Sequence, residues 1–271
     1  MTDASRVGRP HQRALLAVTL AGVAGFVDVV GYMTLDLFTA HMSGNSTRLG
    51  VYLGSGVVLR AAPALFAVAL FVIAITVGTI LMEAGTRAAL RSPSALVIGI
   101  EAGLLVAFAV LGGLAATHGQ VARRDTATYY GLAALAVIAM GLQTSTLQQI
   151  SGRTVRTTYV SGMLTQLSDE LAGLLLRGPL QRNQPSYLRA EVGVQPGQPS
   201  GRRIGLVAGI WCVYAAGGIL GGYLQHRWQL RCVAIPIALL LVVAATELRF
   251  PIDRRLRSGE RATDFDDWTA G

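Results

Sequence analysis

The sequence contains no lysine and little charge of either sign. All 23 of its basic residues are arginine, it has 15 acidic residues, and charged residues make up 14% of the chain. A soluble domain carries about 25% charged residues, because its surface must be wetted. The shortage therefore excludes an ordinary soluble domain. The arginines lie between apolar blocks and at the two ends rather than on one basic face, so we expect no nucleic-acid partner.

Cysteine and the common catalytic motifs are also scarce. The chain has 2 cysteines, Cys212 and Cys232, and no cluster of histidine or cysteine at zinc-like spacing accompanies them. It contains no recognisable glycine-rich phosphate loop or nucleophile motif. We therefore expect no metal site, no cofactor and no enzymatic activity.

Apolar residues, in contrast, are abundant and occur in long runs. Hydrophobic residues make up 52% of the chain, and the mean hydropathy is +0.49. A run of about 20 such residues is long enough to cross a bilayer as a helix. The sequence predicts an all-α, polytopic transmembrane helical bundle with six spanning helices: Ala14–Leu35, Ala62–Met82, Ala95–Thr117, Tyr129–Gln149, Ile204–Leu224 and Cys232–Leu248.

Two further segments are apolar but short and interrupted by charge. Ser43–Leu59 contains Arg48, and Tyr159–Leu176 contains Asp169 and Glu170. Each segment is compatible with a short crossing, a re-entrant helix or an interfacial helix. If both segments cross, the number of spanning helices rises from six to eight.

The distribution of arginine predicts the orientation. With six crossings, 17 arginines fall on the side of the N-terminus and 6 on the other side. Arginine and lysine are enriched in cytoplasmic loops, so both termini are predicted to be cytoplasmic. We divide the chain into an N-terminal segment (1–13), a transmembrane domain (14–249) and a C-terminal tail (250–271), with a cytoplasmic loop at about 177–203.

The transmembrane domain is predicted to consist of two similar halves, 14–117 and 129–249. In the first half, the run Gly25–Asp28 is followed by Thr39–Asn45, which contains a Ser-Gly pair. In the second half, the run Gly141–Thr144 is followed by Thr157–Met163, which also contains a Ser-Gly pair. Each half reads as a long helix, a Ser-Gly break, a short helix and two long helices. With six crossings the two halves are inverted relative to each other, and with eight they are parallel.

The chain resembles the YoaK-like family, bacterial membrane proteins classed as a domain of unknown function. The resemblance covers about Ala14–Glu247 and is carried by four runs: Ala24–Asp28, His41–Ser46, Met140–Gln143 and Thr157–Gly162. The family tends to asparagine where this chain has Thr144, and to threonine in place of the serines of the two Ser-Gly pairs. The resemblance implies a multi-pass protein of the bacterial cytoplasmic membrane. It implies no established substrate.

The polar residues near the two breaks predict a pathway for a small solute, and thus a transporter or permease. Paired helix breaks in two repeats place helix ends near the middle of the membrane, where their dipoles can meet a substrate. The predicted pathway residues are Asp28, Ser43, Gly44, Asn45, Gln143, Thr144, Ser161 and Gly162. The expected partners are the lipid bilayer, an unknown small solute and, as one arrangement, a second copy of the chain.

A second interpretation assigns these residues a structural role in a non-transporting membrane scaffold or accessory subunit. The Ser-Gly pairs then begin short helices as N-caps. Asp28 then reaches water at the end of its helix or accepts a hydrogen bond from Gln143 or Thr144.

Glu101 is predicted to lie at the membrane interface. Close helix packing is predicted for five glycine pairs: Gly50/Gly54, Gly99/Gly103, Gly205/Gly209, Gly217/Gly221 and Gly218/Gly222.

Overall fold

The computed structural model describes residues 4–117, 126–150 and 201–251, together with helical positions 162, 164–165, 167–169 and 171–172. The three long ranges are helical and contain no strand. Their helices are α1 (Ala4–Leu35), α2 (Met42–Gly54), α3 (Val58–Arg87), α4 (Pro93–Thr117), α5 (Ala127–Ile150), α6 (Gly201–Trp228) and α7 (Ala234–Arg249). A 3-10 turn, Gln229–Val233, joins α6 to α7. The prediction of a helical membrane bundle is confirmed.

Two helices run in the same direction as α1. Helix α6 is parallel to α1, because Gly22 lies against Gly217 while Thr34 accepts a hydrogen bond from Gln225 at 3.0 Å. Helix α4 is also parallel to α1, because its second half and the ends of α1 and α6 line one cavity. We call the side of the membrane where α1 begins the proximal face and the side where it ends the distal face.

The other three long helices run back from the distal to the proximal face. Tyr129, at the start of α5, donates a hydrogen bond from its hydroxyl group to the carbonyl oxygen of Leu35, at the end of α1. Helix α3 is parallel to α5, because the rings of Phe66 and Tyr130 pack edge to face. Helix α7 is antiparallel to α4, because Ser94 at the start of α4 donates to Glu247 at the end of α7.

These directions give six crossings in the part of the chain that the structure describes. Five helical stretches there are long and apolar enough to span a membrane: His11–Leu35, Val58–Arg87, Pro93–Ala116, Ala127–Gln148 and Ile204–Arg249. The last is 46 residues long and comprises both α6 and α7, which run in opposite directions. Since a crossing takes about 20 residues, this stretch crosses twice.

The first of the two ambiguous segments forms a re-entrant structure rather than a crossing. Helix α2 has 13 residues, about 20 Å in length, and is too short to span a hydrocarbon core of about 30 Å. The chain leaves α1 at Leu35, turns at Asp36, and returns to the depth of Asp28, where α2 begins. Helix α2 then leads back to the distal face. The second ambiguous segment lies mostly outside the described residues.

The contact between α1 and α6 is the most extensive in the bundle and depends on glycine. A Cβ atom added at Gly25 would overlap the carbonyl oxygen of Tyr214, and one added at Gly217 would overlap the carbonyl oxygen of Gly22. The backbones of the two helices therefore touch. The prediction of close packing is right for the pairs Gly217/Gly221 and Gly218/Gly222.

For three other glycine pairs the packing prediction is wrong. An added Cβ atom would meet nothing within 4 Å at any member of the pairs Gly50/Gly54, Gly99/Gly103 and Gly205/Gly209. These glycines therefore make no close helix contact within the described residues. Spacing alone cannot tell which side of a helix faces another helix, because the same four-residue interval occurs on every face.

Helices of the two predicted halves are interleaved. The first helix of the first half, α1, packs on α6 of the second, and the first helix of the second half, α5, packs on α3 of the first. Gly25 on α1 and Gly141 on α5, which the sequence comparison aligns, both lie at these contacts. Helices α1, α3 and α4 run toward the distal, the proximal and the distal face in turn. Helices α5, α6 and α7 run toward the proximal, the distal and the proximal face, so each has the opposite direction to its counterpart. A full superposition of the halves stays a prediction, because the second Ser-Gly pair is not wholly within the described residues.

Candidate functional site

The carboxylate of Asp28 holds the re-entrant segment in place. Its Oδ1 atom accepts hydrogen bonds from the backbone N–H groups of Thr39 and Ala40, each at 2.7 Å, and of His41 at 3.3 Å. Its Oδ2 atom accepts a hydrogen bond from the hydroxyl group of Tyr214 on α6 at 3.0 Å. The residue is buried, so the negative charge is stabilised by these donors rather than by water.

Asn45 holds the residue that precedes this turn. Its side-chain oxygen accepts from the N–H group of Phe38 at 3.1 Å, and its nitrogen donates to the carbonyl oxygen of the same residue at 2.7 Å. Gly44 lies directly beneath the Phe38 ring, where an added Cβ would be 2.7 Å from a ring carbon. Gly44 therefore accommodates the Phe38 ring, and Asn45 binds the Phe38 backbone. Asn45 is fully buried.

An ion pair closes the segment on the distal side. The guanidinium group of Arg48 donates to both carboxylate oxygens of Asp36, at 2.8 and 2.7 Å, and to the Asp36 carbonyl oxygen at 2.7 Å. The guanidinium lies between the rings of Tyr32 and Tyr52, 5.8 and 6.0 Å from their centroids. Hydrogen bonding to Asp36 raises the pKa of Arg48 despite its partial burial. This pair fixes α2 to the end of α1.

Together these contacts satisfy the backbone polar groups that the break in the helix exposes. Irregular backbone at membrane depth persists only where protein or water supplies partners. Here Asp28 serves the N–H groups of residues 39–41, Asn45 serves both polar groups of Phe38, and Arg48 serves the carbonyl of Asp36. The arrangement is a side-chain clamp on a re-entrant turn. We call Asp28, Asn45 and Arg48 the clamp residues.

The N-cap interpretation of the first Ser-Gly pair is wrong. Helix α2 begins at Met42 with His41 as its N-cap residue, and no side chain caps it. Ser43 is exposed in the first turn, and its carbonyl oxygen accepts from the Thr47 hydroxyl group at 3.0 Å. Its hydroxyl group is therefore not part of the clamp.

Gln143 and Thr144 lie deeper in the bundle than the clamp. Gln143 donates from Nε2 to the carbonyl oxygen of Leu20, two turns closer to the proximal face than Asp28. The hydroxyl group of Thr144 donates to the carbonyl oxygen of Met140 on its own helix at 2.8 Å. The expectation that one of them donates to Asp28 is wrong, because its donors are the turn and Tyr214.

The remaining two predicted pathway residues are in the second half. Ser161 lies outside the described residues. Gly162 is helical and partly exposed. Of the eight predicted residues, the structure therefore brings together Asp28, Gly44 and Asn45. It places Gln143 and Thr144 closer to the proximal face than these three residues.

The structure adds one buried acid that the sequence placed wrongly. Glu101, predicted at the interface, is fully buried on α4, nine residues into the helix. Neither of its carboxylate oxygens has a hydrogen-bond partner within the described residues. Its own helix buries Ile98, Leu105 and Phe108 on the same side, at intervals of three or four residues. This spacing is visible in the sequence and predicts burial of Glu101, because it puts the residue within a stripe of apolar side chains on one face of the helix.

Open cavities lie elsewhere on the described surface, and two of them include buried or charged polar groups. One, of about 890 Å³, is on the distal side between α4 and the 3-10 turn, and it includes Thr34, Gln225 and Arg231. The other, of about 410 Å³, is on the proximal side between α1 and α7, and it includes Glu247. Among the described residues, neither cavity is lined by a predicted pathway residue. Among the described residues, no group of three or more His, Cys, Asp or Glu could hold a metal ion.

The fold and the clamp define a multi-pass helical membrane protein with a re-entrant turn. Residues 16–246 match the model of a family described as "Protein of unknown function (DUF1275)". The chain belongs to this family. It is also 26% identical over 183 residues to the "UPF0700 transmembrane protein YoaK" of Bacillus subtilis (strain 168), an alignment that covers 67% of this chain and 76% of the relative. The predicted resemblance is thus confirmed. No solved structure matches the chain.

Proposed function

We propose that this protein is a small-solute transporter or permease of the bacterial cytoplasmic membrane. The observation that carries the proposal is the pair of interleaved three-helix sets with opposite directions, one of which has a clamped re-entrant turn. Inverted repeats with a helix break are a recurrent architecture of secondary transporters, in which one set rocks against the other. The clamp keeps the turn intact at membrane depth while such a movement takes place.

In this proposal Asp28 and Asn45 position the turn rather than bind the solute. Their polar atoms are occupied by backbone groups of residues 38–41 and by the hydroxyl group of Tyr214. The solute pathway then lies along the inner surface of the turn and the polar second half of α5. That half of α5 buries four consecutive polar residues, Gln143, Thr144, Ser145 and Thr146, although transmembrane helices rarely carry such runs without a role.

The proposal is tested by comparing a deletion strain with its parent on a panel of solutes, as nutrients and as toxic analogues. We expect a growth difference on one solute class, restored by the wild-type gene. Uptake of that solute by proteoliposomes containing only the purified protein is the decisive measurement. Absence of uptake into proteoliposomes that contain correctly folded protein would contradict a transporter acting alone.

The second candidate is a non-transporting scaffold or accessory subunit. It is favoured by one observation: every donor around Asp28 comes from the chain itself, so the clamp has a complete structural explanation. In that case the growth difference of the deletion strain requires another membrane protein. Purified protein alone then gives no uptake, while the two proteins reconstituted together do.

We further propose that the proximal face is cytoplasmic. This proposal rests on the sequence count, which with six crossings puts 17 arginines on the side of the N-terminus and 6 on the other side, and on the six crossings of the described helices. A reporter enzyme that is active only outside the cytoplasm should be silent when fused at Met1 or Gly271. The same reporter should be active when inserted at Gly56, in the exposed α2–α3 connection. Activity at one terminus alone would mean an odd number of crossings.

A further inference from the structure

We infer that Glu101 and Gln143 form a proton-binding site inside the bundle, in which the Glu101 carboxyl group carries the proton and the Gln143 amide oxygen accepts it as a hydrogen bond. The inference rests on the proposed function, because it names the ion that the proposed transporter couples to. It is independent of the clamp, which involves neither residue.

Burial and the lack of partners are the first evidence. Glu101 and Gln143 are 0% and 1% exposed. Both oxygens of Glu101 and the Oε1 atom of Gln143 are buried, and none has a hydrogen-bond partner in the part of the chain that the structure describes. An unpaired carboxylate in an apolar interior is far less stable than the neutral acid. A neutral acid, in turn, has an O–H group that requires an acceptor.

Helix register brings the two side chains to the same contact. Gly112 on α4 lies against both the 3-10 turn and α5, since a Cβ at Gly112 would be 2.5 Å from a Leu230 methyl group and 3.6 Å from a Leu132 methyl group. The helices are antiparallel, and Glu101 precedes Gly112 by the same eleven residues by which Gln143 follows Leu132. About eleven residues make three turns, which returns each helix to the same face. Glu101 and Gln143 therefore lie at one depth on facing sides of α4 and α5.

The amide of Gln143 is oriented to leave its oxygen available. Its Nε2 atom donates to the carbonyl oxygen of Leu20 on α1, which fixes the nitrogen toward α1. The Oε1 atom then lacks a donor, and a protonated carboxyl group on α4 supplies one. A single hydrogen bond from Glu101 to Oε1 removes two of the buried unsatisfied groups at once. Such a bond contributes about 1 kcal/mol, and leaving the groups unpaired costs more.

No charged group of the neighbouring helices competes for Glu101. The residues opposite it by register are Leu240 on α7 and Gly78 on α3, and both are uncharged. The titratable and charged groups in the described parts of the packed elements are Arg60, Glu83 and Arg87 on α3, Tyr129 and Tyr130 on α5, Glu247 and Arg249 on α7, Arg231 and Cys232 in the 3-10 turn, and His11, Arg13, Asp28 and Tyr32 on α1. Glu83, five residues from Gly78, is the nearest of these along its helix to the residues opposite the pair, and it is exposed and paired with Arg87. A proton neutralises the buried Glu101 carboxyl group where no basic side chain lies beside it.

Infrared difference spectroscopy of the purified protein tests the inference without a transported solute. At neutral pH we expect the carbonyl stretching band of a protonated carboxyl group, and Glu101→Gln should remove it. Gln143→Leu should keep the band but shift it to higher frequency, because the acid loses its acceptor. Thr146→Val, a buried change of similar size on the same helix, should leave the band unchanged. If the band is still present in Glu101→Gln, the inference is overturned.

Transfer into D2O separates a coupling site from a sealed structural acid. A coupling site must meet water when the bundle opens, so the band should shift as its proton is replaced by deuterium. A band that persists unshifted after prolonged incubation of folded protein would also overturn the inference. Uptake assays report on the proposed transport separately. A proton site that exchanges in a protein without uptake contradicts the proposed function and leaves the site itself established.

Discussion

Gly25→Ala is expected to lower the free energy of unfolding by about 3 kcal/mol and to remove most of the folded protein from detergent extracts. The new methyl group would overlap the carbonyl oxygen of Tyr214, a backbone atom that no change of side-chain rotamer can move. The helices α1 and α6 must therefore separate. Overpacking typically costs about 1–3 kcal/mol, and the upper end applies where backbone meets backbone.

Gly103→Ala is the matched control. Gly103 is exposed on α4, and an added Cβ would meet nothing within 4 Å. It belongs to a four-residue glycine pair like those of α6, so the sequence around it gives no reason to expect a different result. We expect the melting temperature of Gly103→Ala to equal that of the wild type within error. Equal melting temperatures for Gly25→Ala and the wild type would contradict the close α1–α6 contact.

The positions of the long helices could be predicted from the sequence because the membrane imposes a length. A helix that crosses it needs about 20 apolar residues, and each of the six predicted stretches lies within or largely overlaps a described helix. The two helices at the C-terminal end are one apolar stretch by hydropathy. The charged and polar residues between Leu224 and Cys232 separated them correctly. Composition and length thus determine most of the architecture.

Faces and partners could not be predicted in the same way. Glu101 was placed at the interface because it is near the start of its apolar run, yet depth along a helix says nothing about which side faces inward. The sequence leaves open whether Asp28 lines a pathway, reaches water or accepts a hydrogen bond from Gln143 or Thr144. Its partners in the structure are backbone N–H groups eleven to thirteen residues onward and a tyrosine on α6. Backbone donors carry no sequence signal. Tertiary packing, which selects them, is a property of the whole bundle.

The role of the Ser-Gly-Asn run shows the same limit at smaller scale. The sequence indicated a break in the helix there, and the chain does break. The sequence could not predict the role of each residue in the run. In the structure Ser43 is exposed, Gly44 makes room for the Phe38 ring, and Asn45 binds the Phe38 backbone. Each assignment depends on where Phe38 lies after the turn. That position is fixed by Asp28 and by stacking of Phe38 on Tyr32, with ring centroids 4.6 Å apart.

Asp28→Ala is expected to unfold the re-entrant turn and to destabilise the protein by about 3 kcal/mol. The substitution leaves the N–H groups of Thr39 and Ala40 buried without an acceptor, and each such group costs about 1–3 kcal/mol. It also removes the acceptor of the Tyr214 hydroxyl group. The measurement is the melting temperature in detergent, together with the reactivity of a cysteine at position 40 toward a maleimide in a chain lacking Cys212 and Cys232. Position 40 is buried, so that cysteine should be protected unless the turn opens.

Two milder variants separate the charge of Asp28 from its hydrogen bonds. Tyr214→Phe removes one donor and should cost about 1 kcal/mol with the turn still protected. Asp28→Asn keeps one oxygen for the N–H groups of Thr39 and Ala40 but loses the negative charge that strengthens these bonds. We therefore expect stability to fall in the order wild type, Tyr214→Phe, Asp28→Asn, Asp28→Ala. If Asp28 instead served mainly to bind a cation, Asp28→Asn would be as stable as the wild type, and its only defect would appear in uptake. An Asp28→Ala protein with wild-type melting temperature and a protected position 40 would show that the turn does not depend on the clamp.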